Sequence, residues 1–174
     1  RAVVGWYARH RRDLPWRRTA DPYAILVSEV MLQQTGVERV LPKYGEFLAR
    51  FPSLEALASA APAEVIRAWA PLGYNRRAVH LHRLAREVVA GVPMESGLPE
   101  SLEGLLRLPG VGPYTARAVA CFAFRQHVAV VDTNVRRVLA RLLLGELLPT
   151  SPPARILALA ERALPPDSAC DWNQ

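Results

Sequence analysis

Glu29 is the side chain of this sequence best suited to donating a proton. It lies three to four residues from Ile25, Leu26 and Leu32, so on a helix its carboxyl group shares a side with apolar groups. A lone glutamate more often lies on a solvated helix face, and that interpretation stays open here. Among apolar neighbours, desolvation disfavours the charged form of a carboxyl and raises its pKa, so the group can donate a proton near neutral pH.

Asp132 is a second carboxylate whose position the sequence defines. It follows the apolar run Val128–Val131 and directly precedes the helical pattern that begins at Thr133. An aspartate in that place caps the helix, and the cap fixes the direction of the carboxylate. Capping alone, worth about 1 kcal/mol, is the simpler interpretation, and it is compatible with a chemical role.

The segment Leu108–Pro113, LPGVGP, predicts a tight turn between two helices. Gly110 and Gly112 permit backbone angles closed to other residues, and Pro113 suits a first helical position. Where such a turn leads into a helix, several backbone N–H groups lack intrahelical partners and point the same way. The segment is therefore a candidate site for one phosphate group.

The composition favours a soluble globular protein with an anionic partner. The chain has 174 residues, of which 51% are hydrophobic and 22% charged. Lys and Arg number 22 against 16 for Asp and Glu, a net charge of +6 with a pI near 10.0. This excess suits nucleic acid, although an arginine-rich coding bias would also produce it.

Cysteine, histidine and hydropathy patterns limit the other classes of protein. The two cysteines, Cys121 and Cys170, cannot form a four-cysteine metal or iron–sulfur site and suggest no disulfide framework. His80 and His82 are two residues apart and face different sides of a helix, a poor arrangement for one metal. No apolar run approaches the ~18 residues of a membrane span and no signal peptide is visible, so we expect an intracellular protein.

Helical periodicity dominates the chain, which predicts an all-α fold. Only Val128–Val131 has the pattern of an extended segment, and residues 91–97 form a polar joint. The predicted helices cover residues 2–10, 22–35, 38–51, 53–60, 62–70, 76–90, 102–107, 113–125, 133–144 and 152–164.

Several motifs together resemble the helix-hairpin-helix DNA glycosylase superfamily, which includes endonuclease III. Within it, the sequence most resembles the MutY-type adenine DNA glycosylases. LPGVGPYTA is followed, after an apolar helix, by VDTNVRRVLAR. The likeness extends over almost the whole chain and includes LPWRRTADPYAILVSEVMLQQT, RFPSLEALA, LGYNRRAVHL and DWNQ.

The resemblance implies a catalytic set. Glu29 corresponds to the general acid that protonates adenine, and Asp132 to the carboxylate that faces the positively charged sugar. Asn134 and Tyr114 correspond to residues that hold Asp132 and its intermediate by hydrogen bonds. Tyr114 also replaces the lysine of the lyase branch, so the resemblance implies an enzyme that uses water and forms no Schiff base.

The resemblance also implies contacts with DNA. Trp16 and Arg17 correspond to the pocket for adenine, although core packing is an equal interpretation of Trp16. Gln34 and Tyr74 correspond to residues that wedge into the duplex, the latter beside 8-oxoguanine. The remaining implied contacts are Leu32 and Gln174 with the substrate, and Gly110, Val111 and Gly112 with a phosphate.

For the architecture, the resemblance implies a six-helix barrel unit at 21–132, with the hairpin at 102–125. Residues 1–20 and 133–174 would form a second helical unit, incomplete because the iron–sulfur loop is absent. No cofactor is expected within these residues. A four-iron four-sulfur cluster is expected from a segment after Gln174, followed by a domain that reads 8-oxoguanine, and a monovalent cation is expected at the hairpin. The implied partner is double-stranded DNA with a mispaired adenine, bound by a monomer in the cytoplasm or nucleoid and not at a membrane.

Two other functions are compatible with parts of the sequence. A thymine or uracil mismatch glycosylase of the same superfamily would keep the hairpin and Asp132 but should lack the general acid at Glu29. A noncatalytic hairpin module that only binds DNA would account for Gly110–Gly112 and the net charge of +6. It would not account for Glu29 and Asp132 together.

Overall fold

The computed structural model describes residues 2–91, 97–145 and 150–174. Every regular element within these ranges is helical, which confirms the all-α prediction. A 3-10 turn at Pro15–Arg17 precedes the second helix. The helices are α1 (Ala2–His10), α2 (Pro22–Leu32), α3 (Val37–Arg50), α4 (Leu54–Ser59), α5 (Pro62–Trp69), α6 (Arg76–Ala90), α7 (Leu102–Leu106), α8 (Pro113–Phe122), α9 (Thr133–Leu144), α10 (Pro153–Ala163) and α11 (Ala169–Asn173).

Side-chain caps determine where several of these helices begin. The Asp21 carboxylate accepts the Tyr23 amide at 2.9 Å and begins α2, which has proline in its first turn. Ser53 and Ser101 cap α4 and α7 in the same way, at 3.2 and 3.1 Å. Each cap satisfies an amide that the helix itself leaves without a partner, and is typically worth about 1 kcal/mol.

α2 is the central helix of the larger hydrophobic core. Its residues from Tyr23 to Met31 are all buried, and it packs against α3, α6 and α8. Phe47 of α3 lies edge-on to Trp69 of α5 with ring centroids 5.8 Å apart, and both side chains are fully buried. Burying an apolar side chain of this kind typically contributes roughly 1.5–3 kcal/mol, so this core holds α2 firmly.

A second cluster of buried residues joins the later helices. It comprises side chains of α9 and α10 together with Ala129 and Leu164, and Ala169 and Trp172 of α11 pack against it. α1 packs against α11, so the two ends of the chain lie together. The division into units at 1–20 with 133–174 and at 21–132 stays a prediction.

Three differences between the predicted and the observed helices exceed one residue. α2 ends at Leu32 instead of Thr35, because Gln33 leaves the helix and Gln34 adopts a left-handed conformation with φ 56°. α8 ends at Phe122 instead of residue 125, because Arg125 has φ 55° and the Gln126 amide turns back to bond the Ala120 carbonyl at 3.0 Å.

The third difference is α11, a helix of five residues that the sequence pattern did not predict. Of the joint predicted at 91–97, residues 92–96 lie outside the described residues. Across the described ranges, no helix has both the length and the apolar character needed to cross a membrane.

Candidate active site

Glu29 lies in the interior of α2 and is only 8% exposed. The pKa of Glu29 is raised from 4.5 to about 7, mainly because the buried, ionised carboxyl loses its hydration. This value includes a lowering by the hydrogen bond from Tyr114 and a smaller increase from the negative charge of Asp132. A carboxyl with such a pKa remains about half protonated at neutral pH, so it can act as a general acid.

Asp132 caps α9 as the sequence predicted. One carboxylate oxygen accepts the Val135 amide at 2.7 Å, and the other accepts the side-chain amide of Asn134 at 3.4 Å. The Asn134 oxygen in turn accepts a bond from Arg137 at 2.8 Å. The direction of the Asp132 carboxylate is therefore set by the helix and by Asn134 together.

Tyr114, the second residue of α8, is close enough to both carboxyl groups for their charges to raise its pKa. Its hydroxyl donates to Glu29. The pKa of Tyr114 is raised, first by burial and then by the negative charges of Glu29 and Asp132, so the phenol stays protonated. The hydrogen bonds from Tyr114 to Asp132 and its intermediate, which the resemblance implies, stay a prediction.

An extended segment, residues 128–131, carries Asp132 to its position. The Asn173 side chain of α11 bonds this segment as a neighbouring strand would. Its oxygen accepts the Val130 amide at 2.9 Å and its NH2 group donates to the Val128 carbonyl at 2.9 Å. The position of Asp132 therefore depends on α11, the element that the sequence pattern missed.

Gln34 and Tyr74 lie on two exposed turns, after α2 and before α6. Both have left-handed backbone conformations, with φ 56° and 47°, and Tyr74 is 65% exposed. Among the described residues other than glycine, only Arg125 shares this property. Such conformations cost of order 1–3 kcal/mol and persist where surrounding contacts hold them, often at functional sites.

The residues implied for the adenine pocket lie at different depths. Trp16 is 8% exposed and packs edge-on against Tyr44 with centroids 5.3 Å apart, as the packing interpretation predicts. Leu32 is half-buried against the larger core. Arg17 donates to the Gln174 carbonyl at 3.3 Å, which places these two residues side by side.

In the hairpin between α7 and α8, only one of the two glycines requires its special conformation. Gly110 has φ +77°, and a Cβ atom there would lie 2.7 Å from the Cβ of His80. Gly112 has an ordinary φ of −90° and open space around it, so it does not use the unusual backbone angles that glycine permits. Pro113 occupies the first turn of α8 as predicted.

Some backbone amides of the hairpin donate to carbonyls within the protein, and others have no partner within α8. Val111 is buried, and its N–H donates to the Leu108 carbonyl at 3.1 Å. The first intrahelical bond of α8 runs from the Ala116 amide to the Gly112 carbonyl at 2.9 Å. The amides that α8 leaves for a phosphate therefore begin at Gly112, on the exposed side of the turn.

The two cysteines of the chain, Cys121 and Cys170, lie close together. Both are free thiols, and their sulfur atoms are 3.6 Å apart. No group of three or more His, Cys, Asp or Glu side chains in the described ranges is arranged to hold a metal ion. Two cysteines cannot supply the four ligands of an iron–sulfur cluster.

Two residues at this site were missed by sequence reasoning. Arg77 lies in the segment Leu72–Arg77, where one aromatic residue and two arginines indicate contact with a base and phosphates, yet its guanidinium bonds backbone carbonyls. Asn173 lies within the DWNQ motif but received no role. The only sequence feature that pointed to Asn173 was an amide side chain within a motif. Its hydrogen-bond partners could not be deduced without the fold.

A glycine hairpin that leads into α8, followed by an aspartate cap facing a buried glutamate, defines the helix-hairpin-helix class of base excision repair protein. The chain belongs to this family, because the family described as "HhH-GPD superfamily base excision DNA repair protein" matches residues 27–165.

The similar proteins agree with this assignment. An adenine DNA glycosylase of Mycolicibacterium smegmatis is 50% identical over 168 residues, which cover 95% of this chain and 56% of that protein. The human adenine DNA glycosylase is 41% identical over 184 residues, covering 99% of this chain and 33% of that protein. The solved structure of a thermostable thymine-DNA glycosylase is 32% identical with a TM-score of 0.88, covering 98% of this chain and 79% of that one. The chain thus spans about half the length of its bacterial relative.

Proposed function

We propose that this chain carries the catalytic centre of an adenine DNA glycosylase. The reaction is hydrolysis of the N-glycosidic bond of adenine mispaired with 8-oxoguanine or guanine. The observation that supports this most is the pairing of two unlike carboxyl groups. Glu29 is buried with a pKa of about 7, and Asp132, fixed at the start of α9, lies close enough to raise that pKa.

In the proposed reaction, protonated Glu29 donates its proton to the adenine ring as the bond between base and sugar breaks. The departing base takes the bonding electrons, and the sugar develops positive charge. The Asp132 carboxylate stabilises that charge, a division of roles also used in glycoside hydrolysis. Water then adds its oxygen to the sugar carbon and gives up a proton, which restores the Glu29 acid. Tyr114 keeps Glu29 in place by its hydrogen bond.

Adenine must leave the duplex before Glu29 can reach it. Gln34 and Tyr74, on their exposed turns, are the proposed wedge. The amides from Gly112 onwards are the proposed phosphate anchor at the hairpin. Trp16, Arg17, Leu32 and Gln174 are proposed to line the path of the base.

The proposed partner is double-stranded DNA carrying a mispaired adenine, and its phosphates match the net charge of +6. The glycosylase acts as a monomer in this proposal, and a chromosomal substrate places it with the nucleoid in the cytoplasm. An iron–sulfur cluster in a segment after Gln174 and a monovalent cation at the hairpin belong to the same proposal.

Base release from duplexes with a single mispair tests the proposed specificity. Adenine opposite 8-oxoguanine or guanine should be released, whereas thymine opposite guanine should not. Glu29→Gln should lower the single-turnover rate at least 100-fold, the lower end of general acid catalysis. Glu46→Gln removes an exposed carboxylate of α3 and serves as the matched control. Equal or faster release of thymine would reject the proposal in favour of the thymine mismatch glycosylase.

Borohydride trapping tests the proposed use of water instead of an amine. The unmodified protein should leave an intact abasic strand and give no trapped adduct, because Tyr114 cannot form a Schiff base. Tyr114→Lys should give slow trapping. The charge of nearby Asp132 favours the protonated, unreactive amine, which keeps this gain small. Strong trapping by the unmodified protein would identify a lyase.

A further inference from the structure

Arg77 lies in the first turn of α6, and one nitrogen of its guanidinium closes the end of α2. Nη1 donates to the carbonyls of Val30 at 3.0 Å and Met31 at 2.9 Å, and also to that of Gln33. These are among the last carbonyls of α2, which the helix itself cannot satisfy. A positive charge at this helix end is also favourable for the helix dipole.

The other nitrogen of the same guanidinium reaches the second turn. Nη2 donates to the Gly73 carbonyl at 3.1 Å and the Leu72 carbonyl at 3.5 Å. It also donates to the hydroxyl of Thr35, at 3.0 Å, which belongs to the first turn. One side chain therefore bonds two turns that are about forty residues apart in the sequence.

Two aromatic rings hold the guanidinium in this position. Its central carbon lies 5.4 Å from the ring centre of Trp69 and 5.6 Å from that of Tyr74. The indole N–H of Trp69 also donates to the Gly73 carbonyl at 3.1 Å. Stacking over aromatic rings together with forked hydrogen bonds is the property in which arginine differs from lysine.

The two bonded turns carry two of the three described residues other than glycine that have left-handed conformations, Gln34 and Tyr74. Gln34 lies between Gln33 and Thr35, both of which accept bonds from Arg77. Tyr74 directly follows Gly73, another acceptor. Unfavourable backbone angles persist only where neighbouring contacts hold them, and here one guanidinium contacts both turns.

We propose that Arg77 is a positioning residue that holds the Gln33–Thr35 and Leu72–Tyr74 turns as one rigid unit before DNA binds. Gln34 and Tyr74 then contact the duplex with a fixed spacing, and their turns lose no further conformational entropy during base extrusion. The role in extrusion rests on the proposed glycosylase function, whereas the coupling of the two turns does not. Arg77 acts on the DNA only through these turns, because its guanidinium donates to backbone carbonyls and not to phosphates.

Hydrogen exchange of the DNA-free protein tests the coupling directly. Arg77→Lys and Arg77→Ala should each raise amide exchange about tenfold in both turns, since a lysine cannot bond both sets of acceptors. Exchange in α10 should stay unchanged, which separates local positioning from a general loss of stability. The matched control is Arg76→Ala, which removes an exposed positive charge one residue earlier and should leave both turns unchanged.

A milder variant keeps the test decisive if the Arg77 variants fold poorly. Thr35→Val removes one acceptor in the first turn while keeping the size of this buried side chain. The Leu72 amide donates to the Trp69 carbonyl and the Arg77 amide to the Tyr74 carbonyl, next to the second turn. If Arg77 couples the turns, hydrogen exchange should rise at both of these amides. Unchanged exchange there, in a folded Thr35→Val protein, would overturn the proposal.

Kinetics on DNA then separate positioning from phosphate binding. With adenine opposite 8-oxoguanine, Arg77→Lys should lower the single-turnover rate about tenfold while affinity for undamaged duplex stays within about twofold. If Arg77 instead bound a phosphate, Arg77→Ala would weaken binding to all duplexes and reduce the salt slope by about one, with no change in exchange. That result would overturn the proposal. Failure of the unmodified protein to release adenine would reject the glycosylase function alone, because the exchange data still decide the coupling.

Discussion

Replacing Glu29 with glutamine should stabilise the fold at neutral and alkaline pH while it removes the proposed acid. The glutamine side chain has nearly the same shape and keeps an oxygen that accepts the Tyr114 hydroxyl. It never carries a charge, so it avoids the desolvation that raises the pKa of Glu29 to about 7. The stabilisation should therefore depend on pH, and its sign follows from the direction of the pKa shift.

The magnitude follows from the two pKa values. The carboxyl has a pKa of 4.5 when solvated and about 7 in the fold, so the folded chain binds this proton more tightly than the unfolded chain. Stability is therefore greatest below the unfolded pKa and is lost as the pH rises towards the folded pKa. A difference of roughly 2.5 between the two pKa values lowers the free energy of unfolding by about 3 kcal/mol at high pH. Roughly 2 kcal/mol of this loss develops between about pH 5 and about pH 8.

Urea unfolding at several pH values measures this effect. The difference in unfolding free energy between Glu29→Gln and the unmodified chain cancels the titrating groups that Glu29 does not influence. It should grow in favour of the variant by about 2 kcal/mol from about pH 5 to about pH 8. A flat difference for Glu29→Gln would mean that Glu29 ionises normally in the fold, and the proposed acid would lose its physical basis.

Three further outcomes follow from contacts at the site. Tyr114→Phe removes a hydrogen bond that lowers the pKa of Glu29, so NMR titration of the carboxyl should give a pKa above about 7. Asp132→Asn removes a charge that raises this pKa, so the same titration should give a lower value; excision should be lost while duplex binding, measured by anisotropy, is kept. Gly110→Ala should lower the unfolding temperature because of its φ of +77° and its contact with α6, whereas Gly112→Ala should not.

The sequence was most informative where the cause of a structure is local. Asp21, Ser53 and Asp132 are caps that precede apolar helical patterns, and all three cap their helices in the structure. It was less informative where a helix end depends on a distant residue. α2 was predicted to continue to Thr35, but its last carbonyls bond a guanidinium from α6, and no local pattern contains that information.

The same limit applies to the candidate site. Periodicity placed Glu29 on the apolar side of α2 and correctly gave the direction of its pKa shift. It could not show that the Tyr114 hydroxyl bonds Glu29, since that contact depends on how α8 packs against α2. Asn173 is a similar case, because its bonds to the 128–131 segment exist only once α11 lies beside it.

The pKa of Glu29 depends on three separate parts of the fold. Burial in α2 raises it most, the hydrogen bond from Tyr114 lowers it, and the charge of Asp132 raises it again. The negative charge of Asp132 therefore helps Glu29 to retain its proton. The proposed reaction requires this coupling, because Glu29 must act as a general acid while Asp132 supplies negative charge to the sugar. The role of each group therefore depends on the other being present.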